Sequence, residues 1–376
     1  MDVLLTDEEE LLRKSAREFL EAECPLDLVR AMESDPRGYP PELWSKIAEL
    51  GWLGLALPPA YGGEGAPLSY AGLLLEEAGR AALPLPLHCT LLTALAVAEA
   101  GSEAQKRELL PRVAQGDLIL TWALTERDPR LIPEAIHAEA SADGDGFVIS
   151  GSKLFVENVN VAQRCLVVCR TRAGGADGEG ISLFLIDTDA PGVSQRLLPT
   201  MAGEKQSEVQ LDGVRVSRAA LLGELHRGWP VVEWMLTRGT ALMCSQIVGA
   251  TRKAVDMAVE YAKTRVAFGR PIGAFQAIAH LCADMTIWVD GAELLTREAL
   301  WRLSEGLPAE THVSTAKAYC NQRCQMALHQ ANQIHAGVSQ ITEFDLQLWY
   351  RRATAWTMRL GTTVDHHRRI ADAILA

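Results

Sequence analysis

Residues 264–285 read Thr264-Arg265-Val266-Ala267-Phe268-Gly269-Arg270-Pro271-Ile272-Gly273-Ala274-Phe275-Gln276-Ala277-Ile278-Ala279-His280-Leu281-Cys282-Ala283-Asp284-Met285. They join two long helical patterns. Upstream, Trp229 to Arg265 keeps a helical spacing interrupted only by Gly239 and Gly249, and Pro230 suits its first turn. Downstream, Ala274–Glu305, Ala309–Ala336 and Asp345–Leu375 read as further helices joined by short loops. Long helices with short connections predict an antiparallel four-helix bundle over residues 226–376.

Upstream of the bundle the pattern changes character. From Asp117, short runs rich in Val, Ile, Leu, Phe and Thr alternate with Gly and Asp turns. Leu118–Thr125, His137–Ser141, Gly146–Ser150, Cys165–Arg170, Ile181–Asp187 and Glu208–Val216 read as strands, with Gly174–Gly180 as a hairpin loop. A central, barrel-like antiparallel β domain over 117–225 is expected. Residues 1–116 are helical again: Thr6 and Glu9 form a capping box, Pro40-Pro41 opens a helix that stops at Gly51, and Ser102 opens one that Gly116 ends. The order is α, then β, then α. No βαβ interleaving points to a doubly wound sheet, and no Gly-x-Gly-x-x-Gly sits between strand and helix.

Composition narrows the class. Among 376 residues, 48% are hydrophobic and 22% charged, an ordinary globular balance. The net charge of −12 argues against a general nucleic-acid binder. No uncharged apolar stretch is long enough to span a bilayer, and the acidic start MDVLLTDEEELL lacks the basic opening of a signal peptide. The eight Cys are scattered rather than spaced as a disulfide scaffold, so a reduced, cytoplasmic setting is expected. Cys320 and Cys324, with His329 and His335 downstream, read as small buried thiols rather than a metal site, because a helix would carry His335 away from the pair.

The stretch Thr264–Gly273, followed by Phe275-Gln276-Ala277-Ile278 and Ala283-Asp284-Met285, resembles the most recognisable segment of acyl-CoA dehydrogenases. Leu124-Thr125-Glu126, Gly151-Ser152-Lys153, Gln333-Ile334-His335-Ala336-Gly337, Trp349-Tyr350-Arg351 and the Pro58–Gly65 loop match as well, in the same order along nearly the whole chain. The resemblance implies a dimer of dimers with FAD across a subunit interface. It implies that a glutamate removes the α-proton of an acyl thioester while a β-hydride passes to the flavin, and that an electron-transfer flavoprotein takes the electrons. Arg265, Phe268, Gln276, Gln333 and Gly337 match positions that hold the pyrophosphate and adenosine of a neighbour's FAD. Thr125, Phe155 and Thr362 match the cofactor's other side, and Arg238 matches a bundle Arg on the substrate side.

Departures cluster on the reacting side. The Glu-Gly-Thr run that usually carries the base reads Leu360-Gly361-Thr362, and the alternative seat before Arg238 is Thr237. The loop after Thr125-Glu126 is bulky and charged, Arg127-Asp128-Pro129-Arg130, and Glu157 stands where a hydroxyl is usual. Ala336 replaces a usual Gly, and Met235 a usual Asp. Retention on the donated side and loss on the reacting side imply a subunit that completes the FAD site of a homologous partner, as in heterotetramers among bacterial enzymes that shorten sterol side chains. Two alternatives stand beside it: a flavin-dependent oxidase or monooxygenase-like homo-oligomer acting without a Glu base, and a non-enzymatic structural subunit.

Each remaining candidate has an ordinary reading too. Glu157 and Glu233 are the only carboxylates nominated as relocated bases, against a solvated or ion-paired role. Arg265 has a helix-end ion pair as its alternative. His366 and His367 could approach a ligand, but solvent exposure near the chain end is the expectation. Trp349 and Trp356, seven apart, suit a bundle contact.

Overall fold

The computed structural model describes residues 4–173 and 178–375. Helices run α1 (Asp7–Glu23), α2 (Leu26–Ser34), α3 (Pro41–Glu49), α4 (Leu68–Arg80), α5 (Leu87–Ala100) and α6 (Glu103–Ala114). Strands follow: β1 (Leu120–Ala123), β2 (Glu139–Asp143), β3 (Gly146–Glu157), β4 (Arg164–Arg170), β5 (Ile181–Asp187), β6 (Val193–Leu198), β7 (Gln206–Ser217) and β8 (Leu221–Leu222). The chain continues with α7 (Trp229–Thr264), the short strands β9 (Val266–Ala267) and β10 (Arg270–Pro271), α8 (Gln276–Ser304), α9 (Glu310–Tyr319), α10 (Gln325–His335), α11 (Leu346–Thr357) and α12 (Thr363–Leu375). Two compact units emerge, one of Met1–Ala31, Pro67–Leu83 and Thr237–Ala376, the other of Met32–Ala66 and Pro84–Leu236.

In the second, β unit, which also holds α3, α5 and α6, strands β1–β8 form a single sheet in the order β6-β7-β3-β2-β4-β5-β8, with β1 pairing β4 in parallel. Most pairings are antiparallel, as the short Gly- and Asp-punctuated runs predict. Its inner face carries Phe147, Ile149, Val167, Phe184, Ile186 and Leu211, with the Phe147 and Phe184 rings 5.0 Å apart. The runs Val193–Leu198 and Leu221–Leu222 pair as strands too, although β6 is exposed at its four central residues and so lacks the alternation that marks a half-buried strand. Part of the expected hairpin loop, Gly174–Asp177, lies outside the described residues. A buried ion pair organises one end of the sheet: Lys153 Nζ lies 2.7 Å from Glu126 Oε1, and Glu126 also accepts the backbone N–H groups of His137 and Ala138. With every partner supplied, this pair fixes the chain leaving β1 against β3.

The helical unit is built round the latter part of α7. Its crossing with α4 is close because Gly249 and Gly79 have no side chains: a Cβ at Gly249 would meet Glu76 O at 1.8 Å, and one at Gly79 would meet Gln246 O at 2.2 Å. The α1 capping box expected from Thr6 and Glu9 is present. Arg17 on α1 donates from Nε and Nη2 to the two Glu77 oxygens at 2.9 and 2.6 Å. Trp349 and Trp356 are buried, and Trp349 Nε1 donates to Arg80 O at 2.8 Å.

Two expectations are corrected here. Ala309–Ala336 is not one regular helix, since Cys320–Cys324 widens to a π turn between α9 and α10. Asp345–Leu375 is broken where Leu360 and Gly361 adopt φ +58° and +107°, after which Thr362 starts α12 by donating its N–H to Asp365 Oδ2 at 2.8 Å. The Thr362/Asp365 pair is a cap signal inside an otherwise continuous apolar pattern.

Candidate functional site

The quoted stretch folds into a projecting finger. Arg265 N–H donates to Tyr261 O at 2.8 Å, closing α7, and Ile272 N–H donates to Arg265 O at 2.8 Å. Between them β9 and β10 pair in register Ala267 to Arg270, leaving a two-residue turn, Phe268 at φ +54° and Gly269 at φ +79°. Both residues in the left-handed region make this the turn type that two-residue hairpins prefer. It leaves the Phe268 ring 95% exposed. Behind it, Phe275 stands edge-on at 6.1 Å, and the Arg270 guanidinium lies 4.2 Å from the Phe275 centroid. Arg265 and Gln276, the latter opening α8, are exposed. The ion-pair alternative for Arg265 finds no acidic partner among the described residues.

A second limb forms where α10 stops. Gln333, Ala336 and Gly337 are exposed, while His335 between them is 2% exposed. Its ring stacks on Tyr261 at 4.5 Å and meets Phe344 at 5.1 Å, and its Nδ1–H donates to Ala331 O at 2.8 Å. Burial pushes its pKa below the ordinary histidine value, against the opposing pull of the Ala331 carbonyl. Ala336 takes φ +55° and ψ −141°, a backbone conformation natural only to glycine. The sequence motif brings Arg265, Phe268, Gln276, Gln333 and Gly337 into view. It does not reveal that Tyr261 and His335 tie their two segments together.

The turn at Leu360 rests on a buried polar cradle that the sequence reading missed. Lys317 is fully buried and donates to Asn321 Oδ1 at 2.9 Å and Trp356 O at 2.8 Å. Asn321 Nδ2 donates to Gly361 O at 3.3 Å, and His366 Nε2–H to Leu360 O at 3.0 Å. Three carbonyls, one in the last turn of α11 and two in the turn that follows it, thus each meet a separate side-chain donor. A Cβ on Gly361 would lie 2.7 Å from His366 Nε2, so the turn and the ring exclude any larger residue there. Against the expectation of solvent exposure, His366 is wholly buried, because α12 turns its first face onto α9. Desolvation, aided by Arg369 and Lys317, lowers its pKa to about 4, and desolvation lowers that of Lys317 to about 8. His367 is exposed as expected.

On the β unit, Thr125 follows β1 and its carbonyl accepts the Leu154 N–H at 2.8 Å. Phe155 takes φ +56° and is 56% exposed, while Glu157 closes β3 with its carbonyl accepting from Thr121 Oγ1 at 2.5 Å. The loop beyond Glu126 is stiffened by Arg130, which grips Asp128, and by Arg170, which donates to Pro133 O and Ile136 O. Glu233, in the first turns of α7, is exposed, and Arg238 is half-buried. No group of three or more His, Cys, Asp or Glu among the described residues is placed to hold a metal ion. No helix is long and apolar enough to cross a membrane among them either.

Three family descriptions tile the chain in order: acyl-CoA dehydrogenase N-terminal domain over 6–117, middle domain over 121–214 and C-terminal domain over 226–375. A probable acyl-CoA dehydrogenase, YngJ of Bacillus subtilis, is 30% identical over the full length of both chains. The chain belongs to the acyl-CoA dehydrogenase family. Its fold is that family's, with a helical N-terminal domain, a mostly antiparallel middle domain and a helical C-terminal domain. This acyl-CoA dehydrogenase relative is accordingly an FAD-dependent acyl-CoA oxidoreductase. Two solved structures extend the likeness. A variant of the Tcur3481-Tcur3483 steroid ACAD matches with TM-score 0.88 and 30% identity, covering 98% of each chain. The ChsE4-ChsE5 complex from Mycobacterium tuberculosis matches with TM-score 0.91 and 27% identity, covering 100% of this chain and 99% of that one.

Proposed function

We propose that this chain is the base-less subunit of a heteromeric acyl-CoA dehydrogenase, lending half of an FAD site to a homologous partner that carries the flavin ring and the catalytic carboxylate. The observation that carries the reading is Phe268. Its ring is 95% exposed at the tip of a hairpin that its own chain braces from behind. Exposing a phenyl ring forgoes roughly 1.5–3 kcal/mol of burial, so the finger gains that energy only against another molecule. The donors suit FAD: Arg265 offers a planar fork for the pyrophosphate, Gln276 and Gln333 offer amides, and Gly337 lets backbone approach closely. When bound, FAD supplies the hydride acceptor, and this chain's residues hold its ADP half in place.

On the reacting side, Leu360 fills the apex of the turn where relatives carry the base, and an aliphatic side chain cannot accept an α-proton. Two of the related structures are of paired chains by name, Tcur3481-Tcur3483 and ChsE4-ChsE5. An acyl thioester is then oxidised in the partner's site, with an electron-transfer flavoprotein as acceptor. The test is FAD absorbance per mole of chain with intact-complex mass, after purification from the native source. A second related chain with about one FAD per pair is expected. A homotetramer with one FAD per chain would refute the reading and favour base-free flavin chemistry.

A further inference from the structure

The two clamp limbs come from segments about seventy residues apart in sequence, and one ring joins them. His335 belongs to the α10 limb, between Gln333 and Gly337, and stacks at 4.5 Å and 29° on Tyr261, whose carbonyl receives the Arg265 N–H at the root of the finger. On its other flank is Phe344, 5.1 Å away, and its Nδ1–H is fixed on Ala331 O. With three sides occupied, the ring cannot turn, and the chain beyond it must leave at a set angle. That constraint is visible in the next residue: Ala336 holds φ +55°, ψ −141°, while Ser339 Oγ donates to its carbonyl at 2.8 Å. A non-glycine residue persists in such a conformation only where its surroundings over-determine it.

We infer that His335 is a positioning residue for the flavin clamp: sandwiched between Tyr261 and Phe344, it sets the spacing between the Arg265–Phe268 finger and the Gln333–Gly337 limb, so that both reach one dinucleotide. This rests on the half-site reading above. His335 itself is buried and touches no ligand; it acts by holding two exposed limbs in register. A clamp whose jaws are preset loses less freedom on binding than one whose jaws move independently.

The experiment compares His335→Leu, His335→Phe and Arg265→Ala in the assembled, deflavinated enzyme, titrated with FAD and followed by flavin fluorescence, with thermal unfolding measured in parallel. His335→Leu should weaken FAD at least tenfold, whereas His335→Phe, which keeps a flat ring between Tyr261 and Phe344, should stay within about threefold. Should His335→Leu fail to fold, Tyr261→Leu removes the same stack from its other side. If Arg265→Ala weakens FAD while His335→Leu does not, the positioning role is wrong and the half-site reading stands. If Arg265→Ala leaves FAD affinity unchanged, the half-site reading itself fails. Equal losses in His335→Leu and His335→Phe that track the fall in melting temperature would overturn the positioning role in favour of a merely structural one.

Discussion

His366 makes an acid-sensitive hinge of the Leu360 turn, and the size of the effect follows from its burial. The folded imidazole has a pKa of about 4 against 6.5 for an exposed one. At about 1.4 kcal/mol per pKa unit, that gap corresponds to about 3 kcal/mol. Above pH 6.5 neither state binds the proton and the group contributes no slope. Between 6.5 and about 4 the unfolded ring is protonated and the folded ring is not, so stability falls as pH falls; below about 4 the loss is complete. Glu76 works in the opposite direction over nearly the same range. It is buried, and desolvation together with Glu293 raises its pKa to about 7 from 4.5. The folded state therefore holds that proton where the unfolded state has lost it, and stability rises as pH falls from about 7 to 4.5. In the wild-type chain the two slopes largely cancel. His366→Gln keeps a donor for Leu360 O and removes the titration. Urea unfolding at pH 7 and pH 4.5, at fixed ionic strength, should show the variant gaining about 2 kcal/mol relative to wild type on acidification, the part of that gap reached by pH 4.5. Parallel curves for the two proteins would refute the assignment of the slope to His366.

Further outcomes follow from the same geometry. Glu76→Gln removes the compensating slope, so the variant should lose about 3 kcal/mol relative to wild type between pH 7 and 4.5; the same titration checks it. Lys317→Ala strands Asn321 Oδ1 in a sealed core, takes one of its donors from Trp356 O and empties the space of a long side chain, which should cost about 3 kcal/mol by urea unfolding at pH 7. A loss below about 1 kcal/mol would mean that the cradle is not the support described. Ala336→Gly should stabilise by about 1 kcal/mol, the relief of strain exceeding glycine's extra chain entropy. A lowered melting temperature would contradict the strain.

How far the sequence carries the reading depends on where each signal lies along the chain. The α7 and α8 helices, the capped α1 and α6, and strands such as β4 and β5 are local patterns of period 3.6 or 2, and they appear where the residues place them. The break at Leu360–Gly361 escapes such a pattern because Leu suits a helix and one Gly is weak evidence against it; the decisive hydrogen bonds come from Asn321 on another element. His366 is misplaced for a related reason. Proximity to the chain end argues for exposure only if nothing covers the terminal helix, and α12 packs on α9. The clamp residues are legible through their motif, while Tyr261, His335 and Phe344 meet only in the folded chain. Lys153 and Glu126 each sit in a quoted motif, yet their pairing at 2.7 Å links segments 27 residues apart and leaves no local trace.

Phe268 and Leu360 are both non-glycine residues with positive φ, and the contrast between them separates what serves the fold from what serves a partner. Around Leu360 the strain is answered within the chain: His366, Asn321 and Lys317 receive the carbonyls that the turn leaves over. The turn is explained by stability alone, and its presence does not require a base at its apex. Phe268 has no such return. It combines a left-handed backbone with an almost fully exposed ring, two costs of about 1 kcal/mol or more each, and the contacts behind it, Phe275 and Arg270, brace the finger without covering it. Phe268→Ala should therefore leave the isolated chain as stable as before, or slightly more so, while lowering FAD retention by the assembled enzyme. A substitution that destabilised the isolated chain by about 2 kcal/mol or more, the scale of burying a ring, would place the ring's role inside its own fold and remove the main support for a donated half-site.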